Sequence, residues 1–551
     1  MAAGRKVLDM KHRILIAFMM ICSPIFVARA QSSAIPHLEK HGTATQLFVD
    51  GKPFLMLGGE LYNSSSSNLD YMRPAWARLA AVPLNTVLTP LSWELIEPRE
   101  GQFDFTLVDG LIRDARRNNL HLVFLWLASW KNGMSSYIPT WVKKNTQRFP
   151  RVIEKDGNPV EILSPLGKES MQADARAFAA VMRHIREVDG EAHTVLMMQV
   201  ENEVGVLGDS RDRSPAANQA FGGQVPKELM TYLQQHRDTL NPDLRRGWEA
   251  AGAKPSGTWE EAFGASAETD KIFMAWNYAR YIQGVTAAGK AEYPIPMYVN
   301  TWLAGPHASP GQYPSGGPLP EVMDVWKAAG NAIDIYSPDI YAPNFAEWCD
   351  RYRRADNPLF IPETRGGAKG RANIFYAVGA RETMGFSPFG IDSFLDGDRP
   401  SELDTDNDLG KSYTVLMNLA PIIFQHEGKG EMAGFLLDQD HPQLTVELNG
   451  YRLDLHLDHI FEADAKTAYG LIIVTGADEF VGAGTGFCAS FSLKEAGREH
   501  VGISSVDEGT FSEGVWVPGR RLNGDEDDQG KCWRFMPKQI RVEKAVVYRY
   551  E

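Results

Sequence analysis

One short segment of the chain places two carboxylates, separated by an amide, at the end of an apolar run. The segment is Val195-Leu-Met-Met-Gln-Val-Glu-Asn-Glu-Val-Gly205, and its apolar part is typical of a buried parallel strand. Carboxyl groups at a strand end can give or take protons in a reaction. Side chains alternate along a strand, so Glu201 and Glu203 share a face only if the strand continues through them. One of them therefore needs a partner from elsewhere.

The best partner is Glu363, which ends a second apolar strand in Pro358-Leu-Phe-Ile-Pro-Glu-Thr-Arg-Gly-Gly367. Two carboxyl groups that converge from different strands suit the hydrolysis of a glycosidic bond. One is held protonated to assist the leaving group, and the other stays ionised to attack or to activate water. The alternative is that Glu203 and Glu363 are strand-end acids in structural salt bridges. Because both residues end apolar strands, we favour a catalytic role for them over structural salt bridges.

The elements that must hold these carboxylates alternate strand and helix from about residue 48. Eight apolar strands within about 350 residues predict a (β/α)8 TIM barrel, in which catalytic groups lie at the carboxyl ends of strands. A doubly wound sheet would need a Gly-rich phosphate turn after its first strand, and Gly58-Gly59-Glu60 is not one. Glu203 then follows strand four and Glu363 follows strand seven. The predicted strands are Pro53–Leu57, Asn85–Thr89, His121–Leu127, Thr194–Val200, Ile295–Asn300, Ile333–Ser337, Leu359–Pro362 and Phe386–Ile391.

The rest of the chain after the barrel has a different pattern. A helix is predicted over 409–425, and from about residue 431 short strands alternate with Gly and Asp turns, which indicates a small all-β, sandwich-like domain. We therefore divide the chain into a signal peptide over 1–30, a catalytic barrel over 31–425 and a C-terminal β domain over 426–551. Carbohydrate binding, bracing of the barrel and a dimer contact all stay open as roles of this last domain, with bracing as the default.

Two motifs resemble family 35 β-galactosidases. Trp93-Glu-Leu-Ile-Glu-Pro-Arg-Glu-Gly-Gln-Phe-Asp-Phe105 is similar to that family's Trp-x-x-x-Glu-Pro-x-x-Gly-x-(Phe/Tyr)-x-Phe stretch. Gln199-Val-Glu-Asn-Glu-Val-Gly205 resembles its Gln-(Ile/Val)-Glu-Asn-Glu-Tyr-Gly motif. The family belongs to the retaining-glycosidase clan whose acid/base and nucleophile lie on strands four and seven.

The resemblance implies a role for each matched residue. Glu203 is then the acid/base, Glu363 the nucleophile, and Asn202 a ligand of the sugar 2-hydroxyl. Glu97 and the backbone of Ile96 would bind galactose hydroxyls. Glu201 is left as a structural carboxylate that tunes Glu203 or is held by an Arg.

The sequence departs from the family pattern in three ways. Val204 stands where Tyr is usual, Gly58-Gly-Glu-Leu-Tyr-Asn63 replaces a Ser-Gly-x-x-His-Tyr stretch, and the part after the barrel is short. These features are similar to a compact bacterial branch of the family with one small C-terminal β domain. Some members of that branch act on galactose side chains of xyloglucan.

Aromatic side chains near strand ends are further candidates for sugar binding, because C–H faces of sugars pack on aromatic rings. We expect Trp302 to form a wall of the site, Tyr341 to contact the nucleophile and Asn63 to bind a sugar hydroxyl. The alternative for any aromatic residue is a place in the core. Other candidates are Trp126, Trp130, Tyr336 and Arg365.

The first 30 residues have the pattern of a signal peptide. Basic residues precede an apolar run from Ile14 to Val27, and Ala28-Arg-Ala30 has the form of a signal-peptidase site. The run is short for a membrane span, and Cys22 lacks the context of a lipoprotein site, so we expect export to the periplasm or beyond without a membrane anchor. Among the cysteines that remain, the plausible disulfide joins Cys488 and Cys532.

The net charge and the sequence motifs limit the kinds of ligand that the protein is expected to bind. The chain carries −14, and residues 1–30 contribute five Lys/Arg and one Asp, so the remainder carries −18. An acidic surface argues against nucleic acid and anionic lipid and fits a neutral carbohydrate substrate. No metal and no cofactor is expected: the acidic tracts Asp404–Gly410 and Asp525–Asp528 depart from a calcium loop and are interpreted as solvated loops. An oligomer is not excluded.

We therefore predict an exported retaining exo-β-galactosidase that releases terminal β-linked galactose from plant-type oligo- or polysaccharides, xyloglucan side chains among them. Two alternatives stay open. One is another retaining glycosidase of the same clan, such as a β-xylosidase, an α-L-arabinopyranosidase or a β-glucosidase. The other is a non-catalytic carbohydrate-binding protein.

Overall fold

The computed structural model describes residues 34–396, 408–459, 465–495 and 498–551. The predicted signal peptide and most of the Asp404–Gly410 tract lie outside these residues. The first thirteen strands are β1 His37–His41, β2 Ala44–Val49, β3 Lys52–Phe54, β4 Met56–Glu60, β5 Thr86–Ser92, β6 His121–Lys131, β7 Arg151–Ile153, β8 Pro159–Leu163, β9 Val195–Asn202, β10 Met297–Trp302, β11 Ile335–Ile340, β12 Ile361–Thr364 and β13 Gly385–Pro388.

Fourteen α-helices lie within the described ranges, and most of them follow barrel strands. They are α1 Leu69–Ala81, α2 Trp93–Ile96, α3 Thr106–Arg117, α4 Thr140–Lys143, α5 Lys168–Asp189, α6 Pro215–Phe221, α7 Lys227–Gln235, α8 Pro242–Ala250, α9 Trp259–Phe263, α10 Ala267–Glu292, α11 Met323–Ala328, α12 Phe345–Tyr352, α13 Gly367–Arg381 and α14 Asp408–His426. Short 3-10 turns occur at Ser65–Ser67, Ser393–Asp396 and Gly524–Glu526.

Eight parallel strands close into a barrel in the order β4, β5, β6, β9, β10, β11, β12, β13. The predicted (β/α)8 barrel is thus confirmed, and each predicted strand overlaps an observed one. The hairpin of β7 and β8 and the helices α6 to α9 are insertions between barrel elements. β9 is the fourth barrel strand and β12 the seventh.

Strand β6 shows why barrel strands appear as unbroken apolar runs in the sequence. Its alternate residues Val123, Leu125 and Leu127 belong to the core inside the barrel, whereas Leu122, Phe124 and Trp126 belong to the core between strands and helices. Both faces are therefore dry, as expected for a parallel sheet covered by helices. The inner core also takes Leu47 and Val49 from β2.

The C-terminal strands form two antiparallel sheets. They are β14 Met432–Asp438, β15 Gln443–Leu448, β16 Tyr451–Leu457, β17 Thr467–Gly476, β18 Glu479–Thr485, β19 Phe487–Leu493, β20 His500–Ser512, β21 Val515–Leu522, β22 Trp533–Phe535 and β23 Arg541–Tyr550. One sheet has the order β14-β17-β18-β23-β20-β21 and the other β15-β16-β19-β22. The two sheets share an apolar core, so the predicted all-β region is confirmed.

The six-stranded sheet uses its other face to pack on the barrel. Tyr469 and Leu471 of β17 belong to the same core as Phe375 of α13. The backbones approach so closely that a Cβ on Gly379 would lie 2.8 Å from the Cα of Gly434. The sheet is therefore joined to the barrel by a continuous apolar contact.

The structure joins Cys488 and Cys532 in a disulfide, as the sequence predicted, and Cys349 is a free buried thiol. The division of the chain at residues 425 and 426 stays a prediction; α14 ends at His426 and β14 begins at Met432. Among the described helices, none has the combination of length and apolarity that a bilayer span requires.

Candidate active site

A cavity of about 780 Å³ opens beside the carboxyl ends of the barrel strands. Glu203, which directly follows β9, and Glu363 of β12 both line it. Each is almost completely buried, with 6% and 7% of its surface exposed. The structure thus brings together the two carboxylates that the sequence singled out.

The backbone at Glu203 departs from a regular strand. Its φ is +46°, in the left-handed region that residues with a Cβ rarely adopt. Its N–H donates to the side-chain oxygen of Asn300 on β10 at 3.0 Å, and its carbonyl accepts from the N–H of Gly133 at 3.0 Å. These contacts hold a strained residue in place, as is common where a side chain must be aimed at a site.

The pKa of Glu203 is raised to about 7, chiefly by burial and then by the negative charge of Glu363. Lys131, at the end of β6, acts in the opposite direction. A carboxyl group with a pKa near neutrality can hold a proton and release it at working pH, which is what a general acid requires.

Tyr341 donates its hydroxyl hydrogen to Oε1 of Glu363 at 2.5 Å, as predicted for this residue. Burial and the nearby charge of Glu363 raise the pKa of Tyr341, so its hydroxyl stays a donor. Arg365 donates from Nε to the carbonyl oxygen of Tyr341 at 3.2 Å and lies by its ring. Arg365 therefore braces Tyr341, and no ion pair joins it to an acid among the described residues.

Polar atoms without a protein partner surround the two carboxylates. Within the described parts of the chain, this holds for Oε2 of Glu363, both amide atoms of Asn202, Oε1 of Glu60 and the hydroxyl of Tyr298. All five atoms are buried, so leaving them unpaired carries a free-energy cost unless something binds there. A polyhydroxylated ligand would supply such partners.

Glu60 and Asp339 are two acidic residues of this region that the sequence analysis did not assign to it. Glu60 ends β4, Asp339 lies in β11, and burial is the main cause that raises the pKa of each well above its usual value. Both stand at strand ends, like Glu203 and Glu363. The strand-end rule applied to every barrel strand would have found them.

The remaining predicted residues separate into two groups. Trp302, 39% exposed, lines the cavity as expected, and Trp348 of α12, which was not predicted, lines it too. The predicted ligand Asn63 is not among the lining residues, although its side-chain oxygen has no partner among the described residues. Trp126, Trp130 and Tyr336 belong to the core, which is the alternative weighed for them.

Ile96 and Glu97 also lie apart from the residues that line the cavity. Glu97 accepts hydrogen bonds from Nε1 of Trp93 at 2.8 Å and from the N–H of Gly101 at 2.7 Å. Both of its carboxylate oxygens are thus occupied in bracing the loop after α2. Galactose binding by these two residues stays a prediction that the geometry does not favour.

Glu201 faces away from the cavity. Its oxygens accept from the backbone N–H groups of Ser129 at 3.1 Å and Trp130 at 2.7 Å, and its carboxyl group lies against Asp174 of α5. The expected structural role agrees with this position, but its partners are backbone groups and an acid, with no Arg among those described.

No cluster of metal ligands occurs at the cavity among the described residues. Elsewhere, His456, Cys488 and Cys532 offer ligand atoms close together, but the two cysteines are joined as a disulfide.

Two family models match this chain. Residues 62–261 match Glyco_hydro_42, described as Beta-galactosidase, and residues 409–534 match DUF5597, a domain of unknown function. A barrel with carboxyl groups at the ends of strands four and seven agrees with the first match, which covers residues 62–261. Membership of family 35 in particular stays a prediction.

Individual proteins also resemble the chain. It is 29% identical over 174 residues to a β-galactosidase from Xanthomonas manihotis, which covers 30% of this chain and 26% of that protein. The aligned region thus spans about a quarter of the curated relative's length.

Solved structures resemble the chain at lower identity. A β-galactosidase from Bacillus circulans sp. alkalophilus has a TM-score of 0.45 and 13% identity over 68% of this chain and 57% of that one. The catalytic domain of a β-amylase from Paenibacillus polymyxa has a TM-score of 0.42 and 12% identity, covering 60% of this chain and 91% of that one. An endo-1,4-β-mannanase from Rhizomucor miehei has a TM-score of 0.42 and 13% identity, covering 71% and 99%.

Proposed function

We propose that this protein is a retaining exo-β-galactosidase that works by double displacement. The observation that carries the proposal is that Glu203 and Glu363 line one cavity but have different surroundings. Glu203 has its pKa raised to about 7, whereas Glu363 accepts a hydrogen bond from Tyr341. One carboxyl group is thus suited to hold a proton and the other to attack.

In the first step, Glu363 attacks the anomeric carbon while Glu203 gives its proton to the leaving oxygen. The glycosidic C–O bond breaks as the bond to Glu363 forms. In the second step, Glu203 takes a proton from water, which attacks the same carbon and displaces Glu363. We assign the contact with the sugar 2-hydroxyl to Asn202, which precedes Glu203 and whose buried amide atoms have no protein partner among the described residues.

Galactose as the sugar is supported by the Glyco_hydro_42 match over residues 62–261 and by the family 35 resemblance of the Glu-Pro and Asn-Glu motifs. Release of single terminal residues and action on plant-type polysaccharides such as xyloglucan rest on that resemblance. Trp302 and Trp348 at the cavity would pack against the leaving-group sugars.

Export is part of the same proposal. It is supported by the signal-peptide pattern over residues 1–30 and by the Cys488–Cys532 disulfide, since disulfides persist mainly in oxidising compartments.

The decisive experiment compares p-nitrophenyl β-galactoside with the glucoside, the xyloside and the α-L-arabinopyranoside for wild type, Glu203→Ala and Glu363→Ala. We expect a strong preference for the galactoside and a loss of turnover in both variants. Azide should rescue Glu363→Ala with formation of the α-galactosyl azide and Glu203→Ala with formation of the β-galactosyl azide, which NMR distinguishes.

Glu347→Ala is the matched control, because Glu347 is an exposed carboxylate at the same cavity and has no part in the mechanism. Preference for another sugar with the same azide products would keep the mechanism and reject galactose. Near-normal turnover of Glu363→Ala would remove the mechanism as well.

A further inference from the structure

Asp339 occupies a position between the two proposed catalytic carboxylates. In the pairing of β11 with β12 it lies opposite Glu363, and it lines the cavity with only 3% of its surface exposed. Its carboxyl group is close enough to the Glu203 carboxyl for the two to shift each other's pKa, and its Oδ1 has no protein partner among the described residues.

Asn300 connects Asp339 to the backbone of Glu203. Its Nδ2 donates to Oδ2 of Asp339 at 2.6 Å, and its Oδ1 accepts from the N–H of Glu203 at 3.0 Å. Because the two ends of one amide serve two different partners, Asp339 fixes which way this amide points. The amide in turn holds Glu203 in its left-handed backbone conformation.

The surroundings of Asp339 determine its protonation. The acids that face it are Glu60 from β4, Glu203 after β9 and Glu363 from β12. Three tyrosine hydroxyl groups also lie nearby, those of Tyr298 from β10, Tyr341 after β11 and Tyr352 from α12. The cation of this cluster, Lys131, acts on Glu60 and Glu203.

A buried carboxyl group among three other acids keeps its proton, since ionising it would add one more charge to a crowded site. Asp339 therefore has an O–H to donate, and the Glu203 carboxyl group is the acceptor beside it.

We propose that Asp339 is a positioning residue for the acid/base Glu203: it orients Asn300 against the Glu203 backbone and, as a neutral acid, donates a hydrogen bond to the Glu203 carboxylate. The inference rests on the proposed function. Asp339 keeps its proton throughout. The proton that leaves Glu203 goes to the leaving oxygen, and the one that returns comes from water.

The test uses variants at Asp339 and aryl β-glycosides of whichever sugar the enzyme prefers, with good and poor leaving groups. A 2,4-dinitrophenyl group departs without a proton, whereas a phenyl group needs one. We expect Asp339→Ala to lower kcat/KM for the phenyl glycoside by about 100-fold and for the dinitrophenyl glycoside by less than about fivefold. Azide should raise kcat of this variant on the dinitrophenyl glycoside.

The Asp339→Asn variant tests whether Asp339 acts as a neutral group, because an amide carries no charge. Its amide oxygen can still accept from Asn300 and its N–H can donate to Glu203, so we expect it to lose less than about tenfold on the phenyl glycoside. Because Asp339→Ala removes a donor from the Glu203 carboxylate, the alkaline limb of its kcat/KM profile should move up by about one pH unit. Asp339→Asn should leave that limb in place.

Ser337→Ala is the control, since Ser337 lies two residues earlier on the same face of β11 and is equally buried. An equal loss on both leaving groups in Asp339→Ala would overturn the proposal, because it would point to substrate binding or to structure. The proposal would also be overturned if Asp339→Asn lost as much kcat/KM on the phenyl glycoside as Asp339→Ala does. If Asp339→Ala fails to fold, Asp339→Ser takes its place in this comparison. If Glu203→Ala itself kept its activity on phenyl glycosides, the proposed function would fail instead.

Discussion

Glu201 and Glu203 stand two residues apart and share most of what usually marks a catalytic acid. Both are buried, both have positive φ, and burial raises the pKa of each. Yet Glu201 lies behind the strand, held by the N–H groups of Ser129 and Trp130 and facing Asp174, whereas Glu203 lines the cavity. A raised pKa therefore marks a desolvated carboxyl group. Access to a cavity is what distinguishes a reactive one.

The largest effect on catalysis should come from replacing Glu203, the carboxylate of this pair that lines the cavity. Glu203→Ala should lower kcat/KM for an aryl glycoside with a poor leaving group by about 10³-fold, because the leaving oxygen loses its proton donor. The melting temperature should change by less than about 2 °C. Steady-state kinetics and thermal unfolding on the same preparation check both parts, and a large loss of stability would remove the contrast with Glu201.

Replacing Glu201 should have the opposite effect, with a large loss of stability and little change in activity. Glu201→Ala should reduce the free energy of unfolding by about 3 kcal/mol, because it leaves two buried N–H groups without acceptors and opens a cavity beside Asp174. Urea unfolding measures this. In the folded variant kcat/KM should stay within about threefold of wild type, and a loss comparable to that of Glu203→Ala would show that the two carboxylates act together.

Titration should sharpen the comparison further. Glu203 must be protonated for the first step, and its pKa is raised to about 7, so kcat/KM for a phenyl glycoside should fall about tenfold per pH unit above that value. The dinitrophenyl glycoside, which needs no proton, should lack this alkaline limb. The same limb on both substrates would assign it to another group.

The smallest effect concerns a buried carboxyl group far from the cavity. Glu543 of β23 accepts a hydrogen bond from Nε1 of Trp533 at 3.1 Å, and burial raises its pKa to about 8. The folded chain therefore keeps a proton that the unfolded chain releases near pH 4.5, so this group's contribution to stability is lost as the pH rises from about 4.5 through 8.

Glu543→Gln keeps the acceptor and removes the titration. Because one proton per pH unit corresponds to about 1.4 kcal/mol in this window, it should raise the free energy of unfolding by about 1 kcal/mol more at pH 6 than at pH 5. Urea unfolding at the two values measures this. A difference that does not grow with pH would mean that Glu543 is not protonated in the folded protein.

The barrel could be predicted from the sequence because its strands are dry on both faces and therefore stand out as apolar runs between helices. The β domain was harder. Its individual strands are hard to delimit from the sequence, since stretches such as Glu479-Phe-Val-Gly-Ala-Gly-Thr485 are short of bulky apolar residues and acquire their place from neighbouring strands.

The site divides in the same way. Glu203 and Glu363 could be placed from strand ends alone, because parallel strands bring their carboxyl ends together. The direction of Glu201 depended on whether the strand continues through Glu203, and the sequence does not show that the backbone at both residues is left-handed and breaks the alternation. The role of Glu97 depends on contacts with Trp93 and Gly101 that form only after the loop folds.

Gly379 and Gly434 lie so close that we expect the barrel and the C-terminal sheet to unfold as a single cooperative unit. A chain cut after α14 would expose Phe375 and the neighbouring face of α13 to water, because β14 and β17 would no longer cover it. Calorimetry of the intact protein should accordingly show one melting transition. A fusion protein that uses this barrel must therefore include the C-terminal sheet.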